Sequence, residues 1–254
     1  MNTRTTVGAL AGIAMFAASD ASATTEFAVD ERSQSIVLGM GEFLSGLRQL
    51  SFTATVWYDR VLDSGKIVEV HEVHEIAVKR PGKLRATVLG ENGLRAAIVG
   101  DGVATIVDPV SHRYFQCAVP PSVGGAVDVM VIDLGLSLPS ADFVYDDSGA
   151  SMLGAVETST YLGIVPIDGE PCHHMAFSQE GLEWQLWVSA GVHPTPTRIS
   201  LRYTDRPGAP RFTADLDWQL STVAFDDSAF TFVPDHGMTS VGTFDELLVS
   251  EGTK

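Results

Sequence analysis

Alternating apolar and polar residues predict β-strands over most of the chain. In residues 50–58 every second position is apolar, which is the period of a strand with one buried face. The same alternation recurs in residues 182–189, 198–204 and 212–220. These runs predict sequential antiparallel strands with one apolar and one polar face.

Helical spacing is confined to short stretches. Asp30 is placed to cap a helix that runs to about Leu47, with an apolar face formed by Ile36, Met40, Phe43, Leu44 and Leu47. The glycines at 39, 41 and 46 each weaken this helix by ~1 kcal/mol relative to alanine. The helix therefore needs an apolar surface against which to pack, and residues 123–136 predict a second helical stretch.

These elements predict a mainly β, α+β fold. About ten strands form one large, strongly curved antiparallel sheet, and the helices lie on its concave apolar side. Residues 24–254 contain no Pro/Gly/Ser-rich linker and no internal repeat, so we expect one domain.

The N-terminus has the pattern of an export signal. Arg4 precedes an uncharged apolar run of 12 residues from Val7 to Ala18, and Ala21-Ser22-Ala23 is a small-x-small cleavage pattern. The run is shorter than the ~20 residues that span a bilayer. We therefore predict that residues 1–23 are a signal peptide, cleaved near Ala23, and that the mature protein is periplasmic without a transmembrane segment.

Composition excludes some partners. The chain is 45% apolar and 19% charged, which supplies a real core. Asp and Glu total 32 against 16 Lys and Arg, so the net charge is −16 and nucleic acid would be repelled. The two cysteines, Cys117 and Cys172, lie in predicted strands, and the sequence leaves open whether they pair. It also leaves the oligomeric state open.

Short motifs spread over nearly the whole mature chain resemble a family of predicted periplasmic proteins, domain of unknown function 2092. The motifs occupy residues 58–66, 78–85, 99–102, 108–109, 138–142, 169–174, 184–187, 207–210 and 227–232. That family is similar to the lipoprotein carriers LolA and LolB. The resemblance implies an unclosed β-barrel whose helices cap an apolar cavity, and it implies no defined activity.

Two histidine-containing motifs are rich in metal-ligand residue types. His71 and His74 lie in a predicted strand, where His71 and Glu75 share one face and Glu72 and His74 share the other. The spacing is not the HExxH pattern of a zinc helix. Cys172-His173-His174 offers at most two ligands on one face, whereas structural zinc takes four. We therefore expect no metal.

The sequence contains no catalytic or cofactor motif. It lacks a GxSxG elbow and a phosphate-binding glycine loop, so we expect no catalytic residues and no cofactor. An enzyme would require the histidines at 71, 74, 173 or 174 to meet a carboxylate in a pocket. We treat this as the third hypothesis, behind two binding functions.

The first hypothesis is a non-enzymatic carrier that holds the acyl chain of a lipid or lipoprotein. The alternative is an envelope-stress sensor or protein-interaction module that binds exposed apolar peptide segments. A concave apolar face would serve either, and its candidate lining residues are Phe52, Val56, Trp184, Leu186, Leu201, Phe212, Leu216 and Trp218. This acidic chain also contains one basic turn, formed by residues 79–85. The candidate residues for transient contact with membrane head groups are Lys79, Arg80, Lys83 and Arg85.

Overall fold

The protein is mainly β. The computed structural model describes residues 29–91, 93–136, 138, 140–220 and 224–248. Within them, the strands are β1 (Gln49–Val61), β2 (Ile67–Lys79), β3 (Lys83–Gly90), β4 (Gly93–Gly100), β5 (Val103–Asp108), β6 (Arg113–Ala118), β7 (Thr158–Ile167), β8 (Glu170–Gln179), β9 (Leu182–Ser189), β10 (Pro196–Tyr203), β11 (Arg211–Gln219) and β12 (Thr239–Val241). The predicted signal peptide, residues 1–23, lies outside the described residues.

Helices are few and mostly short. The α-helices are α1 (Glu31–Gly46), α2 (Val123–Asp128), α3 (Ser148–Leu153) and α4 (Phe244–Leu248). A π-helical turn, Val129–Asp133, continues α2, and two 3₁₀ turns cover Ala141–Phe143 and Asp227–Phe230. The helical stretch predicted for residues 123–136 is therefore present, although its second half widens into π geometry.

The twelve strands belong to one sheet, in the order β12-β6-β5-β4-β3-β2-β1-β11-β10-β9-β8-β7. Within the described chain, the sheet starts at β12 and ends at β7, so the predicted mainly β class with one unclosed sheet is confirmed. One pair departs from the predicted antiparallel arrangement, because β12 pairs with β6 in parallel. Strand β12 has only three residues, which is too short for a detectable alternation, so the sequence did not predict it.

The chain divides into two compact units. The first comprises residues 1–46, 56–70 and 139–216, and the second comprises residues 47–55, 71–138 and 217–254. In the first unit, α1 and α3 pack on each other and α1 contacts β7 and β9. In the second unit, α4 contacts β6, and the Asp227–Phe230 turn contacts β3 and β4. That a single domain spans residues 24–254 stays a prediction.

Helix α1 begins where the sequence predicts. The Asp30 carboxylate accepts hydrogen bonds from the Ser33 N–H at 2.8 Å and the Ser33 hydroxyl at 2.9 Å, which is the N-cap geometry. The buried stripe differs by about one position from the predicted face. Met40 and Leu44 belong to it as expected, and its other members are Ser33, Val37 and Gly41.

Candidate functional site: an apolar strand face under helix α1

Strands β8 to β11 present two continuous apolar rows in the first unit. Cross-strand partners share a face of a sheet, so the pairing register identifies each row. The first row is Phe177, Trp184, Leu201 and Phe212, and the second is Met175, Leu186, Ile199 and Ala214. All eight side chains are buried. Phe177 and Trp184 stack with ring centroids 3.9 Å apart.

The opposite face of these strands is polar, as the alternation predicts. Arg198 and Asp215 form a two-bond ion pair across β10 and β11, and one of its bonds, from Nη2 to Oδ2, is 2.8 Å long. Ser200 and Thr213 hydroxyl oxygens lie 3.2 Å apart. Apart from Trp187, which is the cross-strand partner of Arg198, the large apolar side chains of these strands lie on the other face, and we take that face as the binding candidate.

Helix α1 packs on this part of the sheet, where it contacts β7 and β9. Val37, Met40 and Leu44 of its buried stripe have no exposed surface. At one end of the helix, the Asp30 N–H donates to Ser159 Oγ on β7 at 2.8 Å. Towards the other end, the Phe43 ring lies 5.3 Å from the His193 ring in the loop after β9. The helix is therefore held at both ends, and its middle rests on apolar contacts.

Helices α1 and α3 approach each other through backbone at Gly41 and Gly149. A Cβ on Gly41 would lie 2.5 Å from the Gly149 nitrogen, and a Cβ on Gly149 would lie 2.7 Å from the Val37 carbonyl oxygen. Ser148, beside this contact, is fully buried, and among the described residues its hydroxyl has no hydrogen-bond partner. The glycines that weaken α1 locally are therefore explained in part, since Gly41 permits the close approach of α3.

The eight predicted lining residues are placed as follows. In the first unit, Val56, Trp184, Leu186, Leu201, Phe212 and Leu216 are all buried. In the second unit, Phe52 is buried and Trp218 is half-buried, with their ring centroids 4.5 Å apart. The two pairings Trp184–Leu201 and Leu201–Phe212 bring three of the predicted residues into one row. Their role in ligand binding stays a prediction.

A half-buried acid with a raised pKa lies near the helices, and the sequence alone did not single it out. Asp142 lies in the 3₁₀ turn that packs on α3, and burial raises its pKa to about 6. Burial also raises the pKa of Tyr203 on β10 to about 12; the nearby Arg206 cation opposes this rise, and the Asp142 charge adds to it. No local pattern distinguishes Asp142, because acidic residues are abundant in this chain.

At the N-terminal end of α1, three side chains from three elements converge. The Arg32 guanidinium carbon lies 4.0 Å from the centre of the Tyr161 ring on β7. The Tyr161 hydroxyl lies 2.9 Å from Nδ1 of His173 on β8. Burial, and then the Arg32 charge, lower the pKa of His173, which favours the neutral imidazole.

The histidine motifs rich in metal-ligand types have other contacts. His74 is buried and its Nε2 lies 3.0 Å from Glu72 Oε2, whereas His71 is exposed. His174 stacks on Trp187 at 4.2 Å. In the part of the chain that the structure describes, no group of three or more His, Cys, Asp or Glu side chains is arranged to hold a metal ion.

The basic turn, which lies in the second unit, forms ion pairs and a hydrogen bond with the segment around Asp227. Lys79 and Lys83 both reach Asp227 Oδ1, the latter at 3.0 Å, and Arg85 donates to the Ala229 carbonyl at 3.3 Å. These ion pairs lower the pKa of the Asp227 carboxyl. A head-group role for Lys79, Arg80, Lys83 and Arg85 stays a prediction, and any such role competes with Asp227.

Both cysteines are free. Cys172 is buried and accepts a hydrogen bond from the Thr197 hydroxyl at 3.3 Å. Cys117 is half-buried, and burial followed by the Asp133 charge raises the pKa of its thiol. The structure therefore answers the question of pairing that the sequence left open.

Solved structures of low sequence identity resemble this chain. A crystal structure of the Mycobacterium tuberculosis lipoprotein LppX is 11% identical, with a TM-score of 0.46, covering 76% of this chain and 99% of that chain. An uncharacterised conserved protein from Thermus thermophilus is 10% identical, with a TM-score of 0.47, covering 83% and 99%. A LolA superfamily protein from Nitrosomonas europaea is 13% identical, with a TM-score of 0.37, covering 81% and 99%.

Sequence comparison identifies a family. Residues 33–243 match the family model described as predicted periplasmic protein (DUF2092), as the motifs of the sequence indicate. No protein with a curated description matches the chain significantly. None of the helices in the described ranges is long and apolar enough to cross a bilayer.

Proposed function

The chain belongs to the DUF2092 family of predicted periplasmic proteins, and we propose that it is a non-enzymatic binding protein for the acyl moiety of a lipid or lipoprotein. The observation that carries the proposal is the pair of apolar rows on β8–β11 under an amphipathic helix whose buried stripe is apolar apart from Ser33. Export after cleavage near Ala23 is part of the proposal.

The energetics of an acyl ligand fit such a face. Burial of one CH₂ group stabilises a complex by ~0.8 kcal/mol, so a fourteen-carbon chain offers ~10 kcal/mol before ordering costs. No polar chemistry is needed to reach useful affinity. The rows are covered by the protein's own side chains, so an acyl chain gains access when α1 moves away from β9. The acyl chain then occupies the space that Val37, Met40 and Leu44 fill in this structure.

The attachment of α1 supports movement of this kind. Its ends are held by the Asp30–Ser159 hydrogen bond and the Phe43–His193 ring contact, and α3 packs closely on Gly41. The side chains of Val37, Met40 and Leu44, by contrast, make non-directional apolar contacts. Apolar contacts exchange readily with a hydrocarbon chain because one aliphatic surface replaces another. The proposal therefore assigns α1 the role of a lid.

The test is identification of a bound lipid. The protein is purified from the periplasm, extracted with organic solvent, and the extract is analysed by mass spectrometry. The expected result is an acyl lipid that approaches one per chain and that a fourteen-carbon acyl probe displaces. A folded protein that yields no lipid and takes up no probe would refute the carrier function.

The second candidate, recognition of an extended apolar peptide, is favoured by one observation. Edge strand β7 contains no charged residue in its ten positions and exposes 50% of Leu162 and 56% of Ile164. Charges and short length, two common protections of natural edge strands, are absent from β7, whereas Pro166 and a bulge between Tyr161 and Gly163 are present. The stretch between the bulge and Pro166 is the part of this edge that a partner strand would pair with. A pull-down that recovers one specific protein, lost in Leu162→Lys, would decide for this function.

A further inference from the structure

We propose that the carrier's ligand has an anionic head group, a carboxylate or phosphate, which Arg32 and His173 bind at the N-terminal end of α1. This inference rests on the proposed function and specifies its ligand as an anionic amphiphile. It predicts that fatty acids and acidic phospholipids bind more tightly than neutral acyl compounds such as fatty-acid methyl esters.

The cation is positioned rather than paired. Arg32 is exposed and its guanidinium lies 4.0 Å from the centre of the Tyr161 ring. In the described chain, no carboxylate lies within ion-pair distance of Arg32. The acidic neighbours along the chain are Asp30 and Glu31. The pKa of Asp30 is lowered mainly by the hydrogen bonds from Ser33 in the N-cap and only to a smaller extent by the Arg32 charge, and Glu31 is exposed. Stacking on Tyr161 leaves the edge N–H groups of the guanidinium available to an anion.

His173 supplies a second donor. In the neutral imidazole one ring nitrogen accepts and the other donates. The Tyr161 hydroxyl lies 2.9 Å from Nδ1, and we assign the tautomer in which the phenol donates to Nδ1 and the imidazole proton resides on Nε2. Nε2–H has no partner among the described residues. The guanidinium lies over the tyrosine ring and the imidazole lies at its hydroxyl, near enough for the Arg32 charge to act on His173, so the two groups are suited to one oxyanion.

An apolar path leads from this cluster to the proposed acyl site. Ile164 is the β7 partner of His173 and is 56% exposed, and Val188 is the β9 partner of His173 and is fully buried. The three residues form a row on the face that carries Met175 and Leu186. A head group at Arg32 would therefore place its hydrocarbon chain at the start of the two apolar rows.

The experiment compares charged and neutral ligands of equal length on the delipidated protein. The probes are palmitate, methyl palmitate and palmitoyl lysophosphatidylglycerol, and the variant is Arg32→Gln. We expect the protein to bind both anions about tenfold more tightly than the ester, and Arg32→Gln to remove this preference without weakening ester binding. Binding of only one anion would assign the site to the carboxylate or to the phosphate.

The chain offers a matched control. Arg206 also lies 4.0 Å from the centre of a tyrosine ring, that of Tyr203, on the same unit. Arg206→Gln should leave all three affinities unchanged. Equal binding of palmitate and its ester by the unaltered protein would overturn the head-group site while leaving the carrier function in place. Failure of all three probes to bind would overturn both the head-group site and the carrier function. If Arg32→Gln does not fold, the ratio of palmitate affinity to ester affinity in the unaltered protein tests the head-group site.

Discussion

Gly41 of α1 and Gly149 of α3 meet with no side chain between them. The position of a Cβ on Gly41 is 2.7 Å from the Gly149 Cα, a distance that real Cβ contacts do not show. The contact fixes α3 against the helix that covers the apolar rows. Space for a single methyl group is therefore absent at the crossing of the two helices.

Gly41→Ala should destabilise the protein by about 1–3 kcal/mol, because the new Cβ meets backbone that cannot rotate away. The measurement is the free energy of unfolding in urea. The control is Gly39→Ala on the same helix, where a Cβ meets nothing within 4 Å and helix propensity predicts a gain of about 0.5–1 kcal/mol. A Gly41→Ala variant that is as stable as Gly39→Ala would show that α1 does not pack on α3 as described.

Asp142 gives the protein a pH dependence whose sign follows from its raised pKa. The value in the folded protein is about 6, against 3.8 for an ordinary aspartate, so the folded state retains a proton that the unfolded state has lost between these values. Stability therefore falls as the pH rises from about 4 to about 6. Asp142→Asn removes this loss.

We expect Asp142→Asn to raise the free energy of unfolding by about 1–2 kcal/mol at pH 7.5, with no gain at pH 3.5. The expected gain is limited because the residue is partly exposed. Urea titrations at the two pH values provide the measurement. Exposed Asp147→Asn is the control and should change stability by less than about 0.5 kcal/mol. A gain from Asp142→Asn that is the same at both pH values would contradict the buried position of this acid.

The basic turn predicts a competition between a membrane and the protein's own carboxylate. If Lys79 and Lys83 contact anionic head groups, freeing them from Asp227 should strengthen the contact. Asp227→Asn is therefore expected to increase co-sedimentation with phosphatidylglycerol vesicles at low salt, and the double variant Lys79→Gln/Lys83→Gln is expected to reduce it. Vesicle binding that is unaffected by the substitutions at Asp227, Lys79 and Lys83 would show that this turn does not bind head groups.

The two thiols should differ in reactivity. Cys117 is half-buried and Cys172 is fully buried. We expect maleimide to label Cys117 slowly in the native protein and to label Cys172 only after unfolding, because burial blocks access. Intact mass after denaturing alkylation should show two modified cysteines. A chain that accepts no label under denaturing conditions would instead contain a disulfide.

Period-two alternation predicted most of the sheet. Leu182–Ser189 was predicted with the bounds that the structure has, because it carries a regular alternation. The helices were harder. The stripe of α1 depends on which residues face α3 and β9, so Gly41 is buried while Leu47 is only half-buried. A glycine packed against another glycine has no apolar signal in the sequence.

In the candidate site, too, some residues were predicted from the sequence and others were not. Trp184, Leu201 and Phe212 lie at regular positions of neighbouring strands, so alternation alone predicted that they share a face. The Arg32–Tyr161–His173 cluster was not predicted, since its members come from three elements that meet only through the packing of α1 on β7. The raised pKa of Asp142 likewise depends on tertiary burial, which no local pattern encodes.

The central claim is that a hydrocarbon chain occupies the apolar rows beneath α1. The most direct measurement is crosslinking with a palmitate analogue that carries a photoreactive group near its methyl end, followed by peptide mapping. The account predicts saturable crosslinks to α1 and to β8–β11, abolished by excess palmitate. Crosslinks that do not saturate, or that lie only on exposed residues such as Val110 and Val233, would contradict it.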